Sequence, residues 1–426
     1  MSLNITGIKE SGKVLTLTQD VVLESTLSLN GYSKLDLAGH KLTGPSNAYA
    51  LEITDGSKVE ICNGTLVTDH RGIYASGGSH VTLGDKFVFE GKMRAAGIYD
   101  GSTLVVDAGA SITTKGGDAS VFVCGDLTIG KVKGSKRTRA EISGTVTSTD
   151  TYCAIQGNGG DTTGCDLVIK SPANITAPGV AIYFPCLGDF LIEGGSITGD
   201  TAVYVKSGTL KIVGGTLTGK GEKKEYEPHN SGANSTGDAV VIDSCDYPSG
   251  APTVEILGGT FVSKNAEAVG SYADGDETVA QSFIKGGSFT PEINKSLVSS
   301  GGIVVNGSVV EVQYLDIDFS SRQASVSNED GSSTLTTYLD AHVSYRVPGF
   351  MSSSAAFEIQ ELVKVTMTPE GLKTSIVDTP VTFSSADEVL TILNEKINVY
   401  IQSEQISRQE RAFVQESMSK MKLLGL

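Results

Sequence analysis

Short runs of alternating apolar and polar residues recur throughout the first 295 residues, and glycines bound most of them. Examples are HVTL at 80–83, STLVV at 102–106 and TLKIV at 209–213. Their content of Val, Ile, Leu and Thr is typical of short β-strands that bury one face. Long segments with helical periodicity are hard to find before residue 380. The connections are therefore too short for the crossover helices of βαβ units.

A phrase of two glycines, a hydroxyl residue and an apolar residue occurs four times in this region. It reads EGGSI at 193–197, VGGTL at 213–217, LGGTF at 257–261 and KGGSF at 285–289, with looser echoes in CNGTL at 62–66 and ISGTV at 142–146. The first apolar residue after each such turn forms a series whose members lie 20 to 44 residues apart: Leu66, Phe87, Ile112, Val146, Ile175, Ile197, Leu217, Phe261 and Phe289. The shortest gaps, of about 20 residues, correspond to one coil of a solenoid, and the longer gaps are expected where loops are inserted into a coil.

These patterns predict a parallel β-helix, a solenoid in which each coil contributes three short strands. Each strand pairs with its equivalents in the coils above and below, about 4.8 Å away. On this interpretation the two glycines form a corner, the Ser or Thr bonds to nearby backbone groups, and the apolar residue begins an inward-facing column. We therefore assign the phrase an architectural role and expect about 11–13 coils between residues 13 and 295.

The composition changes near residue 298. Glycine falls from 44 in the first 300 residues to 7 in the last 126. Residues 309–321 and 334–347 still alternate like strands, which we expect in a different sheet, whereas 384–401 and 402–424 have the periodicity of helices. The fold class we predict is mainly β: a right-handed parallel β-helix, then a smaller C-terminal α+β module that ends in helices. The predicted domains are a β-helix with its N-terminal cap at 1–298, a β-rich module at 299–380 and a helical tail at 381–426.

An apolar stripe follows one side of the last predicted helix. It consists of Ile406, Phe413, Val414, Met418, Met421 and Leu424. A stripe of this kind packs either on its own domain or on another subunit. The second alternative makes it a candidate seam for oligomerisation or attachment.

The chain carries 33 basic and 49 acidic side chains, a formal net charge of −16. This balance disfavours broad contact with nucleic acid, whose phosphates are bound by Lys and Arg. No segment approaches the length of about 18 uninterrupted apolar residues that predicts a membrane span, and the N-terminus lacks the pattern of a secretory signal peptide. We therefore expect no nucleic-acid or membrane partner. The six cysteines lack metal or disulfide spacing, which indicates buried free thiols in a reducing compartment.

The segment LDLAGHKLTG at 35–44, together with the repeated Gly-Gly phrases, resembles right-handed parallel β-helix proteins of the pectin-lyase-like class. The resemblance covers about residues 13–295, and its motifs concern architecture rather than chemistry. The layout of an unsecreted β-helix followed by a distinct C-terminal part is most similar to bacteriophage head-fibre, tail-fibre and spike proteins.

This resemblance implies a non-enzymatic structural protein of a virion, such as a head fibre, a tail fibre or a capsid decoration, assembled in the host cytoplasm. It also implies a homotrimer whose partners are other virion proteins and, through adhesion, a host-surface glycan or receptor. Two alternatives on the same scaffold stay open. One is a polysaccharide lyase or hydrolase, and the other is a bacterial surface adhesin.

The motifs of glycan-active enzymes on this scaffold are missing from the sequence. Hydrolases of the class resemble one another in Asn-Thr-Asp, Asp-Asp, Gly-His-Gly and Arg-Ile-Lys motifs, whereas this chain has Gly39-His40-Lys41 and no Asp-Asp pair. Tryptophan, whose ring is a common stacking face in sugar sites, is absent, which counts against a saccharide site. The alternative is that some of the 14 tyrosines stack on a sugar instead. We predict no catalytic, cofactor-binding or metal-binding residues.

Two groups of polar residues are weaker candidates for chemistry. Asp316 and Asp318 lie two residues apart, so on a strand they share one face, which we expect to face water. Asp69, His70 and Arg71 follow a predicted strand. We interpret these three as a solvated turn, with a polar cluster as the alternative.

Two polar stretches interrupt the repeat and are predicted to protrude as loops, at residues 131–139 and 219–237. The first carries five basic residues, Lys131, Lys133, Lys136, Arg137 and Arg139. It is a candidate docking loop for an acidic neighbour such as another virion protein. The alternative is a solvated loop without a partner.

Overall fold

A computed structural model describes residues 5–127, 134–150, 152–228, 232–245, 247, 250–275, 277–299, 302–330, 333–347, 354–368, 371–376 and 379–380. The chain divides into two compact units, Met1–Leu297 and Val298–Leu426. Across the residues described, no helix has the length and apolar content needed to cross a membrane.

The first unit contains three sheets, which the chain visits in turn in every coil. Sheet 1 contains Ile8–Ser11, Val14–Leu17, Lys34–Asp36, Lys58–Cys62, His80–Leu83, Thr103–Val106, Thr138–Ile142, Cys165–Ile169, Asp189–Ile192, Thr209–Ile212 and Thr253–Ile256. Sheet 2 contains Val21–Val22, Lys41–Thr43, Gly64–Thr68, Phe87–Gly91, Ser111–Thr114, Thr145–Ser148, Asn174–Thr176, Ser196–Gly199, Thr216–Gly219, Thr260–Ser263 and Gly287–Thr290. Sheet 3 contains Leu27–Ser28, Tyr49–Ile53, Arg71–Ala75, Ala96–Tyr99, Val121–Cys124, Ile155–Gln156, Val180–Phe184, Thr201–Val205, Val240–Ser244 and Val269–Ala273.

Strands one coil apart pair in parallel in all three sheets. The first two strands of sheet 1 differ, because they form an antiparallel hairpin. The eleven strands of sheet 2 that belong to the first unit correspond to about eleven coils. The predicted parallel β-helix is confirmed as a β-solenoid of this size.

The core of the solenoid consists of apolar columns that run across the coils. In sheet 2 the column contains Leu42, Leu66, Phe89, Ile112, Val146, Ile175, Ile197, Leu217, Phe261 and Phe289, each opposite the next in register. Eight of the nine residues in the series read from the sequence lie in this column. The ninth prediction, Phe87, is wrong, since Phe87 lies opposite Gly64 and Phe89 occupies the column position. Both phenylalanines are buried, so the alternating pattern alone does not distinguish them.

Sheets 1 and 3 carry equivalent columns. The column of sheet 1 contains Leu15, Leu35, Ile61, Leu83, Val106, Ile142, Ile169, Ile192, Ile212 and Ile256. The column of sheet 3 contains Leu27, Leu51, Ile73, Ala96, Val121, Ile155, Ile182, Val203, Val240 and Val269. Each coil buries these residues against its neighbours, so stability is shared along the stack.

The Gly-Gly phrase marks corners at which consecutive coils approach closely, as Gly258 and Gly259 illustrate. A Cβ atom on Gly258 would lie 2.5 Å from the carbonyl oxygen of Val213 in the preceding coil. Gly259 has a φ of +110°, a conformation that residues with a Cβ atom rarely adopt. The second glycine of the other three phrases also has a positive φ: Gly195, Gly215 and Gly287. The architectural role predicted for the phrase is therefore explained by two separate backbone requirements.

Gly258→Ala is expected to destabilise the protein by about 3 kcal/mol, because the backbone must move to relieve the contact with the Val213 carbonyl. Gly31→Ala is the control: Gly31 also lies in a turn, at a φ of +85°, but an added Cβ atom meets nothing within 4 Å. It should cost only the strain of the left-handed conformation, about 1 kcal/mol. Urea denaturation of the two variants measures both losses. Equal losses would show that the close approach of the coils is not the reason why the first position of the phrase requires glycine.

The second unit begins with an antiparallel hairpin of Gly302–Val305 and Ser308–Glu311. Its turn residues Asn306 and Gly307 both have positive φ, as the favoured two-residue hairpin turn requires. A separate antiparallel sheet follows, made of Gln313–Ser327, Ser333–Arg346, Ala355–Thr368, Gly371–Ile376 and Thr379–Pro380. The mainly β character is confirmed. The helices predicted at 384–401 and 402–424 lie outside the described residues, as do the six residues of the apolar stripe.

Candidate functional site on the outer face of sheet 3

Aromatic side chains from four successive coils line the outer face of sheet 3. They are Tyr49, Tyr74, Tyr99 and Phe122, which we call the tyrosine ladder. Consecutive ring centroids are 5.4, 5.3 and 5.9 Å apart. The rings belong to neighbouring strands but meet diagonally rather than in register, since Tyr74 lies opposite Glu52 in one coil and Gly97 in the next. The three tyrosines are half-buried, so part of their ring surface faces solvent.

Gly97 provides the space in which two tyrosine hydroxyls of the ladder converge. A Cβ atom at this position would lie 2.9 Å from Oη of Tyr49 and 3.0 Å from Oη of Tyr99. Burial raises the pKa of Tyr99 above its usual value, and the nearby Arg94 only partly opposes this. The Tyr99 hydroxyl is therefore neutral at physiological pH and available as a hydrogen-bonding group.

Arg94 fixes the ladder through its guanidinium group. It donates from Nη1 to Oη of Tyr99 at 2.7 Å and from Nη2 to Oδ1 of Asp118 at 2.6 Å. Arg71 donates to the second oxygen of Asp118 at 3.2 Å. The guanidinium carbon of Arg94 also lies 4.2 Å from the ring centroid of Phe122, which adds a cation–π contact. One carboxylate and two arginines thus hold aromatic groups from different coils in a fixed arrangement.

Three buried nitrogen atoms of these two arginines and of His70, which precedes Arg71, have no hydrogen-bond partner among the described residues. They are Nδ1 of His70 and Nε of both Arg71 and Arg94. A buried polar group without a partner costs free energy, about 1–3 kcal/mol. These atoms are closed off from solvent, so the part of the cluster that a ligand can reach is the exposed surface of the tyrosine rings. Such ring faces bind a polar, weakly charged ligand such as a saccharide by stacking.

The structure alters the interpretation of residues 69–71. The predicted solvated turn is wrong for Arg71, because its guanidinium group pairs with Asp118, which also pairs with Arg94. At this residue the alternative, a polar cluster, is correct. Sequence reasoning missed Arg94, Asp118 and the ladder itself. A usable signal was present, because Tyr49, Tyr74, Tyr99 and Phe122 follow one another at intervals of 25, 25 and 23 residues, close to one coil.

The later coils of sheet 3 carry a buried ion pair on the same outer side. Lys206 directly follows the strand Thr201–Val205, Asp243 lies in the adjacent strand Val240–Ser244, and Nζ lies 3.3 Å from Oδ2. Both side chains are 0% exposed. Tyr204 donates to Oδ2 at 2.8 Å and Tyr226 donates to Oδ1 at 2.7 Å, so both carboxylate oxygens accept hydrogen bonds. The Nζ of Lys206 also lies 4.9 Å from the ring centroid of Tyr247.

The segment around Tyr226 covers this ion pair. The ring of Tyr226 stacks on Tyr272 with centroids 4.7 Å apart and an interplanar angle of 5°. Tyr272 in turn donates to Asp238 at 2.6 Å, and burial raises the pKa of Asp238. The prediction that residues 219–237 protrude as a loop is therefore wrong at Tyr226, which packs on sheet 3. On the sheet the ring of Tyr226 stacks on Tyr272 and its hydroxyl donates to Asp243, whereas in solvent the ring would have no stacking partner.

The candidate basic docking loop is only partly available for a partner. Arg137 donates to Asp166 at 3.4 Å and to Asp189 at 3.2 Å, which are register-equivalent aspartates in adjacent coils. Arg139 donates to Glu141 at 2.8 Å. Lys136 is exposed. The remaining two basic residues of the loop, Lys131 and Lys133, lie outside the described residues.

Asp126 organises the base of this loop. Its carboxylate accepts hydrogen bonds from the backbone N–H of Thr162 at 2.9 Å and from the hydroxyl of Thr163 at 2.6 Å. The backbone N–H of Gly134 donates to it at 3.2 Å. Burial alone would raise the pKa of Asp126, but these donors favour the charged form and lower it.

Asp126→Asn is expected to destabilise the protein by about 1–3 kcal/mol at neutral pH, because charge-assisted hydrogen bonds are lost. A carboxyl whose folded pKa is lowered contributes stability above its unfolded pKa of about 3.9. That contribution is lost as the pH falls through the lower folded value. Thermal melts from about pH 7 down to about pH 3 should therefore show the two proteins converging at acidic pH. A difference that stays constant with pH would contradict this role for Asp126.

Asp318 is exposed, as expected, whereas the side chain of Asp316 lies outside the described part of the chain. Within that part, no group of three or more His, Cys, Asp or Glu side chains is arranged to hold a metal ion. Comparison of the chain with protein-family profiles, with curated proteins and with solved structures gave no match in any of the three.

Proposed function

We propose that the protein is a non-enzymatic structural protein of a bacteriophage particle, a head fibre, tail fibre or capsid decoration, and that it binds a host-surface saccharide through the tyrosine ladder. Its solenoid is assigned to the right-handed, pectin-lyase-like class, and the assembly to a homotrimer. The observation that carries the proposal is the ladder: half-buried tyrosine rings from successive coils, fixed by Arg94 and Asp118.

A binding role is supported by how the carboxylates of this face are engaged. Asp118 accepts from two guanidinium groups, and Asp243 accepts from two tyrosine hydroxyls beside the ammonium of Lys206. A general acid or base needs an oxygen that can reach a substrate proton. Carboxylates whose oxygens already serve neighbouring donors instead suit the positioning of aromatic groups.

Tyr74→Ala is expected to weaken saccharide binding about tenfold, equivalent to about 1.4 kcal/mol, because it removes a central stacking surface. Tyr152→Ala is the matched control, since Tyr152 is 47% exposed and lies outside the ladder. The probe is an array of bacterial lipopolysaccharide and capsular oligosaccharides, followed by titration calorimetry with any saccharide that binds. Binding that is unchanged in Tyr74→Ala, or equally reduced in both variants, would remove the ladder from the proposal.

The place of the protein on a particle requires its own experiment. Peptides of this chain should be found by mass spectrometry in purified particles, in a constant ratio to the major capsid protein, and genes for capsid and portal proteins should flank its gene. Absence from particles would contradict the virion proposal. Shortening of an acidic polysaccharide during incubation with the purified protein would instead support the alternative of a lyase or hydrolase.

A further inference from the structure

Two buried cysteines of consecutive coils lie next to each other. Cys165 begins the strand Cys165–Ile169 of sheet 1, and Cys186 follows the strand Val180–Phe184 of sheet 3. Their Sγ atoms are 2.9 Å apart, and both residues are at most 1% exposed. The sulfur atoms would need to approach by only about 0.9 Å to reach the bonding distance of about 2.05 Å.

The backbone holds the two cysteines in this position. The N–H of Cys165 donates to the carbonyl of Leu187 at 2.8 Å, so the coil carrying Cys165 is hydrogen-bonded to the chain directly after Cys186. A Cβ atom on Gly157 would lie 2.5 Å from Sγ of Cys186 and 3.6 Å from Sγ of Cys165. A Cβ atom on Gly164 would lie 2.4 Å from the carbonyl oxygen of Leu187. Glycines at both positions therefore allow the close approach around the thiol pair.

We propose that Cys165 and Cys186 form an intramolecular disulfide when the folded protein meets a disulfide oxidant. In the reaction both S–H bonds break and one S–S bond forms, while two electrons and two protons pass to the oxidant. Local opening admits glutathione disulfide to one of the two buried thiols, which forms a mixed disulfide and releases one glutathione thiol. The second cysteine then attacks its neighbour's sulfur and releases the other glutathione thiol as the protein S–S bond forms. The bond ties one coil of the solenoid covalently to the next. This site goes beyond the proposed function and does not depend on it. All six cysteines are free in the structure, as the sequence predicts, and five of them are buried.

The cross-link falls beside the segment that supports the basic loop. The residue before Cys165 is Gly164, whose N–H donates to Asp161 at 2.9 Å, and the adjacent Thr163 donates to Asp126. Local opening of these coils would separate the two sulfur atoms. The disulfide should therefore oppose opening at this level, and its formation should be slow, because the hydrogen bond with Cys186 and burial raise the pKa of Cys165 and keep its thiol protonated.

Thiol counting on the full chain tests the proposal. The reduced protein is incubated with glutathione disulfide, then unfolded in acid and alkylated with N-ethylmaleimide. The wild type has six cysteines, so oxidation should leave four that can be alkylated, with one peptide pair joined through Cys165 and Cys186. Cys165→Ser and Cys186→Ser should each retain five alkylated thiols. Cys62→Ser, a control at another buried cysteine, should fall from five to three.

Thermal melting is a second measurement, which distinguishes loss of the disulfide from poor folding of a variant. The oxidised wild type should melt at a temperature higher than the reduced wild type by about 3 °C or more, since closing this loop restricts the unfolded chain. Either cysteine variant should show no such rise. Six alkylated thiols in the treated wild type, or a joined peptide containing any other cysteine, would overturn the proposal.

Discussion

Asp243→Asn is expected to lower the free energy of unfolding by about 3–5 kcal/mol, because it removes one charge of a fully buried ion pair. Asparagine has nearly the same shape as aspartate, so the lost free energy of unfolding reflects the removed charge rather than altered packing. Lys206 lies 3.3 Å from Asp243, and neither side chain is exposed to water that could replace the interaction. The hydroxyls of Tyr204 and Tyr226 also lose charge-assisted acceptors. Urea denaturation followed by circular dichroism measures the loss.

An exposed ion pair provides the comparison. Glu255 lies 2.8 Å from Lys211 and 2.9 Å from Lys285, but its side chain is 34% exposed. Glu255→Gln should cost no more than about 1 kcal/mol, since water screens the pair. The Lys206→Met, Asp243→Asn double variant should recover a large part of the single variant's loss, because no unneutralised charge stays buried. A loss below about 1 kcal/mol in Asp243→Asn would contradict the buried ion pair.

Ile197→Asp is expected to destabilise the solenoid by about 5 kcal/mol or more, comparable to the whole stability of many domains. Ile197 lies in the apolar column of sheet 2, opposite Ile175 and Leu217, and is 0% exposed. The substitution both removes apolar contacts across three coils and buries a carboxylate among apolar side chains. Soluble yield, circular dichroism and thermal melting give the outcome.

Thr198→Asp is the matched control on the same strand. Thr198 follows Ile197 directly and is partly exposed on the outer side. A charge there should change stability by only about 0.5 kcal/mol. Similar losses in the two variants would contradict the inward and outward alternation on which the columns depend.

Much of the solenoid could be predicted because the same physical requirement recurs in every coil. The corner after Gly258-Gly259 and the apolar residue Phe261 are repeated at the equivalent positions of other coils, so the sequence repeats with the structure. The sequence does not distinguish Phe87 from Phe89, because both are buried and one residue, Val88, separates them. Only the pairing of Phe89 with Leu66 in the structure shows which phenylalanine lies in the column.

The candidate site was harder to predict because its residues face outward. An outward tyrosine such as Tyr74 satisfies the alternating pattern of a strand as well as a threonine would, so the pattern carries no information about the ladder. Arg94 and Asp118 lie in the connections between strands and meet only when two coils are stacked. Lys206 and Asp243 are separated in the chain by the long insertion at 219–237, whose length hides the pairing of the strands beside them.

The stacking of the coils is tested most directly by distances along one outward column of sheet 2. Val67, Glu90, Thr113, Thr147, Thr176, Thr198, Thr218, Val262 and Thr290 are consecutive register partners in that column. Spin labels on non-canonical amino acids at Val67 and Thr176 span four strand spacings, about 19 Å, and labels at Val67 and Thr290 span eight, about 38 Å. Pulsed electron paramagnetic resonance should therefore give a second distance about twice the first. A second distance equal to or shorter than the first would show that the chain folds back, and would contradict the solenoid.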